Sequence, residues 1–289
     1  MSHFTVMVFG EDAEKQLAPF QENNMGDCPE QHLKFNDETE YIQKEWDEED
    51  QETKDEYNND IDAYAEDYHG YKKDEETGKY GYWENPNAKW DWYQLGGRWA
   101  GFFKLKPGAS GTEGRAGLFS GGAEPGHADA VIKSNIDFEG MRSAAEKEAG
   151  EKYDEITSIV GESINEMHSW DHVRDVMFPD DRDLARDFYN SQIATTKLKE
   201  WNSANEYKNS FIDLEDFKVT KEQFCKSRGD SAFSTFAVLK DGVWYQKGDM
   251  GWWGMASNEK EQSDWNSEIS NLLADLPEDT LISIYDCHI

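Results

Sequence analysis

The sequence predicts an α+β fold: a largely antiparallel sheet from strands near both ends and in the middle of the chain, covered by helices. Three observations predict it. β-rich runs lie at both ends, a hairpin signal precedes the last helical stretch, and residues 137–225 show helical periodicity. We expect one α+β domain over 1–289, with an acidic helical insertion at 37–68 and a helical subdomain at 137–225.

The two ends of the chain predict strands of this sheet. His3 to Phe9 is a β-rich run that is apolar on both faces, which indicates a strand in the centre of a sheet. The closing TLISIYDCHI is also β-rich. In FSTFAVLKDGVWYQKG, Asp241 and Gly242 lie between two β-rich runs, the pattern of a two-residue hairpin, and a helix is expected at about 258–276.

Residues 37–67 form the most acidic stretch, with 15 acidic residues and two lysines, a formal charge of −13 over 31 positions. Apolar and aromatic residues recur in and just after it at helical spacings: Tyr41, Ile42, Trp46, Tyr57, Ile61, Tyr64 and Tyr68. Two interpretations remain open. The segment is either a helix or helical pair that packs its aromatic stripe on the body, or a mobile insertion that orders on a partner.

The middle of the chain is rich in glycine and aromatic residues. ENPNAKWDWYQLGGRW begins as a turn at Asn85, Pro86 and Asn87, and an extended run is expected from Trp99 to Lys106. The following GASGTEGRAGLFSGGAEPG lacks the spacing of a phosphate-binding loop, which favours a flexible loop.

The region 137–225 reads mainly as helices. Asp137 is placed to cap a helix that begins at FEGMRSAAEKEAGEKYDEITSIV. A second helix is expected near 162–177, and a third from about Arg182 to Tyr207.

Charge limits the classes of partner. The chain has 61 acidic and 29 basic residues, a formal net charge of −32, which repels nucleic-acid phosphates and anionic lipids and attracts basic surfaces. No apolar run approaches the roughly 20 residues that span a bilayer, and MSHFTVMVFG lacks the features of a signal peptide. Cys28, Cys225 and Cys287 lie far apart without a CxxC pair. We expect a cytoplasmic protein that uses neither a cofactor nor a metal.

Two sets of residues are candidate binding sites. The first is an acidic surface formed by Glu45, Asp47, Glu48, Glu49, Asp50, Glu52, Asp55 and Glu56. The second is an aromatic pocket with Arg98 as its anion contact, formed by Trp90, Trp92, Tyr93, Arg98, Trp99, Trp252 and Trp253. For the second set, an aromatic core in which Arg98 pairs with a carboxylate is the alternative.

Catalytic motifs are not visible. His168 and His172 have the i and i+4 spacing of a metal pair, but Glu166 adds no distinctive third ligand, so surface histidines are favoured. Cys287 and His288 are neighbours on a predicted strand and point to opposite faces, which favours a buried structural cysteine over a nucleophile. These patterns favour a binding protein over an enzyme, and no catalytic residue is assigned.

Segments from both ends and the middle of the chain carry a resemblance: MSHFTVMVFG, YGYWENPNAKWDWYQLGGRWAGFFKLKPG, WYQKGDMGWWGM and YDCHI. Together they resemble a family of uncharacterised proteins of bacteria and their phages. In size and charge the chain looks like the small phage proteins that disable host defence nucleases, and more specifically it is similar to the phage inhibitors of Gabija-type defence. That similarity implies binding to a host nuclease complex and a homo-oligomer, and it assigns no functional residue.

Two functional hypotheses follow. The first is a phage-associated acidic binding protein, a DNA mimic, that engages and inhibits a basic, DNA-handling host defence protein in the host cytoplasm. It would bind neither nucleic acid nor membrane directly. The alternative is a small-molecule-binding enzyme or sensor that uses the aromatic cleft around Trp90–Trp99 and Trp252–Trp253, with Arg98 as the anion contact.

Overall fold

The computed structural model describes residues 2–118, 120–251 and 254–289. Within these ranges the strands are β1 (His3–Phe9), β2 (Lys34–Asp37), β3 (Lys72–Lys73), β4 (Tyr80–Glu84), β5 (Trp92–Gly97), β6 (Phe103–Lys104), β7 (Arg115–Ala116), β8 (His127–Ala128), β9 (Ala130–Ile132), β10 (Ala237–Lys240), β11 (Val243–Gln246), β12 (Asp249–Met250), β13 (Ala256–Ser257) and β14 (Leu281–His288). The helices are α1 (Ala13–Leu17), α2 (Thr39–Glu48), α3 (Gln51–Glu56), α4 (Ile61–His69), α5 (Phe138–Val160), α6 (Trp170–His172), α7 (Arg182–Ser191), α8 (Ile193–Ala204), α9 (Lys221–Asp230) and α10 (Gln262–Ala274). The predicted α+β fold is confirmed.

The main sheet has the strand order β11-β10-β1-β14-β5-β7, and β9 also pairs with β14. The pairs β1–β10 and β5–β7 are parallel, and the other pairs of this sheet are antiparallel. β1 lies between β10 and β14, as its apolar pattern predicted. The hairpin between β10 and β11 is also confirmed, because Asp241 and Gly242 both have the positive φ that a tight primed turn requires.

Successive side chains of β1 enter different cores on the two faces of the sheet. Met7 and Phe9 pack with Ile282 and Ile284 beneath Trp265 of α10; we call this side the α10 face. Phe4, Val6 and Val8 pack with Cys287 beneath Leu17 of α1; we call this side the α1 face. Residues of one strand thus reach opposite faces in strict alternation, which decides where the candidate site residues lie.

The helical region contains α5 to α9, whose apolar residues form a core of their own around Ile156, Val160 and Phe224. Asp137 caps α5 as expected, because its carboxylate accepts a hydrogen bond from the Gly140 N–H at 2.9 Å. Two predicted helices are interrupted. The stretch 162–177 consists of a 3-10 turn, the short α6 and a π-helical turn, and the stretch 182–207 divides into α7 and α8 at Gln192. At this break the Gln192 side chain accepts a hydrogen bond from the His168 N–H and donates one to the His168 carbonyl.

The acidic insertion folds as a small unit over residues 34–84, which we call the acidic unit. Strands β2, β4 and β3 form its sheet, and α2, α3 and α4 connect β2 to β3. Ile42, Ala65 and Tyr80 are buried together between the helices and this sheet. Residues 37–68 are therefore mainly helical, as one interpretation predicted, but they form three helices, and their buried residues pack with β4 of the same unit.

The strand in the middle of the chain lies earlier than predicted. The extended run was expected at Trp99 to Lys106, but the long strand is β5, and residues 98–101 form a turn before the two-residue β6. The strand lies earlier because Gly96 and Gly97 are its last residues, whereas the prediction placed the extended run after them. Among the described residues, no helix has the length and apolar composition that a membrane span requires.

Candidate functional site

Polar residues from three adjacent strands share one end of the α10 face. In the register of the sheet, His3 lies opposite His288, Thr5 opposite Asp286, and His288 opposite Trp92. Because alternate positions along a strand point to the same side, these side chains continue the face that is apolar at Met7 and Ile284. We call His3, Asp286, His288 and the adjoining Asp91 the His–Asp cluster.

His3 and Asp286 form the first pair of the cluster. The His3 Nδ1 lies 2.7 Å from Asp286 Oδ1, and the Asp286 side chain is only 2% exposed. The second oxygen of Asp286 accepts a hydrogen bond from the Arg98 backbone N–H at 2.9 Å. A carboxylate held in this way fixes the imidazole ring and, as the acceptor, places the ring proton on Nδ1.

His288 and Asp91 form the second pair, with 2.6 Å between His288 Nδ1 and Asp91 Oδ1. Asp91 is held on its other side by the Asn24 amide at 3.2 Å. The two imidazole rings meet edge to face, with their centroids 4.9 Å apart. Among the described residues neither Nε2 has a hydrogen-bond partner, and neither belongs to the buried polar atoms that lack one. Both Nε2 atoms are therefore accessible to solvent.

Glu22 adds a third carboxyl group beside the second pair. Burial raises the pKa of Glu22, the negative charge of Asp91 raises it further, and His288 opposes the rise. The Glu22 backbone N–H is fixed by a hydrogen bond to the Trp90 carbonyl at 2.7 Å. A carboxyl group that takes up a proton more readily than an ordinary glutamate therefore lies beside the cluster.

The two glycines of WDWYQLGGRW let the backbone approach buried carboxylates. A Cβ atom at Gly97 would lie 2.3 Å from the Cβ of Asp286, and one at Gly96 would lie 2.8 Å from an oxygen of Asp129. Both residues also have positive φ. Asp129 is fully buried and accepts hydrogen bonds from the N–H groups of Gly101, Phe102 and Gly114. The GG pair is therefore required by packing around two buried aspartates.

Arg98 follows this glycine pair and has an exposed side chain. Its guanidinium makes no ion pair with the described residues, although acidic residues outnumber basic ones two to one in the chain. Its backbone N–H is one hydrogen bond from the carboxylate that holds His3. Arg98 is therefore an exposed residue whose backbone contacts the His–Asp cluster, and the core alternative, a buried pairing with a carboxylate, does not describe it.

The other predicted pocket residues divide between the two faces of the sheet. Trp90 is buried on the α1 face with Tyr93, and its indole N–H donates to the Leu17 carbonyl at 3.1 Å. Trp99 packs against the core of the α10 face. Trp92 is 46% exposed and lies edge to face with the His3 ring at 6.3 Å. Trp252 and Trp253 lie outside the described residues.

An open groove of about 750 Å³ lies along α9, away from these aromatic residues. Gln223, Ser227 and Arg228 line one side of it, and Thr235 and Lys247 line the other.

No family model, curated protein or solved structure matches this chain.

The predicted acidic surface lies on α2, α3 and the turn between them. Asp47, Glu48, Asp50, Glu52, Asp55 and Glu56 are exposed, and Glu45 and Glu49 are half-buried. Several of the eight have partners within the unit: Asp50 caps α3 by accepting from the Thr53 N–H, Glu49 accepts from the Tyr64 hydroxyl at 3.0 Å, and Asp47 and Asp55 accept from the side-chain amides of Gln43 and Gln51 at 2.9 and 2.8 Å. The structure brings all eight together on one small unit.

The remaining candidates lie apart from the cluster. His168 and His172 are exposed and stack at 5.3 Å, and no group of three or more metal-ligating side chains occurs within the described ranges. Cys287 is buried on the α1 face, where burial raises the pKa of its thiol well above the ordinary value. His288 points to the other face, as strand alternation predicted.

Sequence reasoning missed the His–Asp cluster. Its partners are far apart along the chain: His3 and Asp286 are 283 residues apart, and Asp91 and His288 are 197 apart. The available signal was the alternation of YDCHI, which places Asp286 and His288 on the same side of one strand.

Proposed function

We propose that the protein is a cytoplasmic, phage-associated binding protein whose acidic unit engages a basic surface of a DNA-handling host defence protein and blocks it. The observation that carries this proposal is that the acidic unit is folded. Ile42, Ala65 and Tyr80 are buried together as its core, and most of the carboxylates of the predicted acidic surface are exposed. A preformed surface avoids the ordering cost that a disordered acidic segment would incur on binding.

The charge of this surface is largely uncompensated. Lys44 lies 3.9 Å from Glu48, and the Lys54 ammonium donates to the backbone carbonyls of Asp47 and Glu49. Three other lysines of the acidic unit pair with acids outside this surface: Lys72 with Glu66, Lys73 with Asp62 and Lys79 with Asp37. A surface with this balance attracts a basic partner over several ångströms at ordinary salt.

Proteins that hold DNA provide basic surfaces of this kind, because their clefts bind the phosphate backbone. Carboxylates held on helices compete for the same arginines and lysines. The likeness in size and charge to phage proteins that disable host defence nucleases supports a defence nuclease complex as the partner. The similarity to phage inhibitors of Gabija-type defence supports a homo-oligomer as the active form.

The test is the affinity of the purified protein for a Gabija-type nuclease complex, measured by calorimetry. The acidic-unit variant changes five exposed acids that do not cap a helix: Asp47→Asn, Glu48→Gln, Glu52→Gln, Asp55→Asn and Glu56→Gln. The control variant makes the same change of charge at five exposed acids of the helical region: Glu148→Gln, Glu151→Gln, Asp187→Asn, Glu200→Gln and Glu222→Gln.

We expect the acidic-unit variant to bind at least about tenfold more weakly than the natural protein, and the control variant to stay within about twofold. Binding of the natural protein should weaken as salt rises from about 50 to about 300 mM. Equal losses in the two variants would show that net charge, and not the acidic unit, determines binding. Absence of binding at low salt would contradict the proposed partner.

A further inference from the structure

We propose that an aromatic ridge on the acidic unit, formed by Tyr41, His69, Tyr71 and Tyr82, is the surface on which arginine side chains of the basic partner bind. This inference deepens the proposed function and rests on it for the existence of a basic partner. It concerns which cation the acidic unit recognises, a guanidinium group in preference to an ammonium group.

The four rings of the ridge form a continuous row. Tyr71 and Tyr82 stack with their centroids 5.5 Å apart and their planes 19° from parallel, and His69 stacks on Tyr71 at 5.9 Å. Tyr41 meets the His69 ring edge to face at 5.6 Å. The row therefore joins side chains from α2, the end of α4 and β4 into one surface.

The backbone beneath the ridge is fixed by the core of the acidic unit. Tyr41 precedes Ile42, which is fully buried. The Tyr71 N–H donates a hydrogen bond at 2.9 Å to the carbonyl of Ala65, which is also fully buried. Rings attached to a fixed backbone lose little conformational freedom when a partner binds.

The ridge is open to solvent, and no cation of the protein covers it. Tyr41 is 44% and Tyr82 38% exposed. Lys54 lies over the ring of Trp46 and Lys73 over that of Tyr80, but within the described ranges no lysine or arginine lies over a ring of the ridge. These rings are therefore available to a cation from another molecule.

Carboxylates without an ion pair lie beside the rings. Burial raises the pKa of the Tyr71 hydroxyl, and the negative charge of the nearby Glu38 raises it further. Glu40, next to Tyr41 on α2, is exposed. Among the described residues neither carboxylate forms an ion pair. A cation that lies on the ridge therefore also meets negative charge at its edge.

This combination favours arginine over lysine. A guanidinium group is planar and weakly hydrated, so it can stack on an aromatic ring while its N–H groups reach a carboxylate. An ammonium group is compact and strongly hydrated, and it gains less from a ring that is open to water.

The charge of the acidic unit also favours a protein over a nucleic acid as the occupant of the ridge. Bases of a single strand stack on aromatic side chains as well. Residues 34–84, however, contain 19 acidic and six basic residues, which repel the phosphates of such a strand.

The experiment uses the full chain with two peptide probes of equal charge, hexa-arginine and hexalysine. Their affinities are measured by calorimetry at about 150 mM salt, where weak long-range attraction is screened. The Cε1–H signal of His69 is followed by NMR as the reporter on the ridge. His168, an exposed histidine of the helical region, is the internal control.

Three variants separate the rings from the charge. The ridge variant combines Tyr41→Leu with Tyr82→Leu, and the ring-retaining variant combines Tyr41→Phe with Tyr82→Phe. The control is Trp83→Leu, because Trp83 is 49% exposed and, as the neighbour of Tyr82 on β4, lies on the opposite face of the small sheet.

Hexa-arginine should shift the His69 signal at about threefold lower concentration than hexalysine and leave the His168 signal unchanged. The ratio of the two affinities should fall by about threefold or more in the ridge variant, because the stacking contribution is lost. In the ring-retaining variant and in Trp83→Leu the ratio should stay within about 1.5-fold of that of the natural protein.

Four outcomes would overturn the proposal. In the natural protein these are equal responses of His69 to the two peptides, equal shifts of His69 and His168, and a shift of His69 by a six-residue oligothymidylate, which would indicate a nucleic acid as the occupant. The fourth is an unchanged affinity ratio in a folded ridge variant. Because the probes are peptides, failure of the nuclease complex to bind would reject the proposed partner and leave these results unaffected.

Discussion

At the scale of residues, two buried aspartates determine the structure around the candidate site. Asp286 bonds to a histidine of β1 and to the backbone of Arg98, and Asp129 bonds to three backbone N–H groups. A buried carboxylate is stable only when its oxygens have such donors. Gly96 and Gly97 exist in this arrangement because a side chain at either position would occupy the space of the aspartates.

Replacement of Gly97 by alanine should destabilise the protein. The new Cβ would overlap the Asp286 side chain, at a φ of 57° that alanine rarely adopts. We expect the free energy of unfolding to fall by about 2 kcal/mol or more. Denaturant unfolding measures this, with Gly121→Ala as the control, because a Cβ there meets no atom within 4 Å. Equal stability of the two variants would contradict the assigned packing.

The ion pair between Asp37 and Lys79 gives a pH-dependent contribution within the acidic unit. The hydrogen bonds from Lys79 and Thr39 lower the pKa of Asp37 from 3.8 to about 2. Because the folded-state pKa is the lower one, this contribution is present above about pH 4 and is lost as pH falls towards 2. The carboxyl signal of Asp37 should titrate near pH 2 by NMR, and in Lys79→Gln it should titrate closer to 3.8; an unchanged midpoint would exclude the pairing.

At the scale of elements, the sequence predicted the features that depend on interactions between residues close together in the chain. The alternation of β1 and β14, the hairpin at Asp241 and Gly242, and the Asp137 cap depend on neighbouring residues, and all appear as predicted. β5 begins earlier than the extended run predicted at Trp99 to Lys106 and ends at the Gly96–Gly97 pair. The pair ends a strand here for a reason that depends on Asp286, almost 190 residues further along the chain.

The candidate site could not be predicted for the same reason. His3 and Trp92 have no sequence relation to Asp286 and His288, and only the strand order β1-β14-β5 makes them neighbours. The spacing of the aromatic residues also does not predict which face of the sheet each one occupies. Trp90 and Trp99 lie nine positions apart, and they pack on opposite faces because the chain turns after β5. The acidic surface could be predicted because its residues are close together in the sequence, on α2, α3 and the turn between them.

The acidic unit should depend on its small core. Ile42 is fully buried with Ala65 and Tyr80, so Ile42→Ala should destabilise this unit by about 2–4 kcal/mol. We expect faster hydrogen exchange over residues 39–69 and little change in the main sheet. The control is Tyr41→Ala on the same helix, where the side chain is 44% exposed. Equal exchange in both variants would contradict the packing of α2.

At the scale of the whole molecule, charge opposes compaction. The formal net charge is −32, and many carboxylates lie on exposed helical surfaces. The exposed ion pairs contribute little individually, since solvent and salt screen them. Self-repulsion of this size destabilises the folded chain at low ionic strength.

Added salt should therefore stabilise the protein. Raising sodium chloride from about 20 to about 300 mM shortens the range of the repulsion, and the melting temperature should rise. Calorimetry at constant pH measures the change. The acidic-unit variant, which carries five fewer negative charges, should show a smaller rise; a melting temperature that falls with salt would mean that ion pairs outweigh repulsion.

The most direct test of the proposed function is competition with DNA. A labelled duplex is first bound to the defence nuclease complex, and the protein is then titrated in while release of the duplex is followed by fluorescence anisotropy. If the acidic unit occupies the surface that holds phosphates, the natural protein should release the duplex, whereas the acidic-unit variant should release it only at about tenfold higher concentration. A duplex that stays bound at saturating protein would contradict the account.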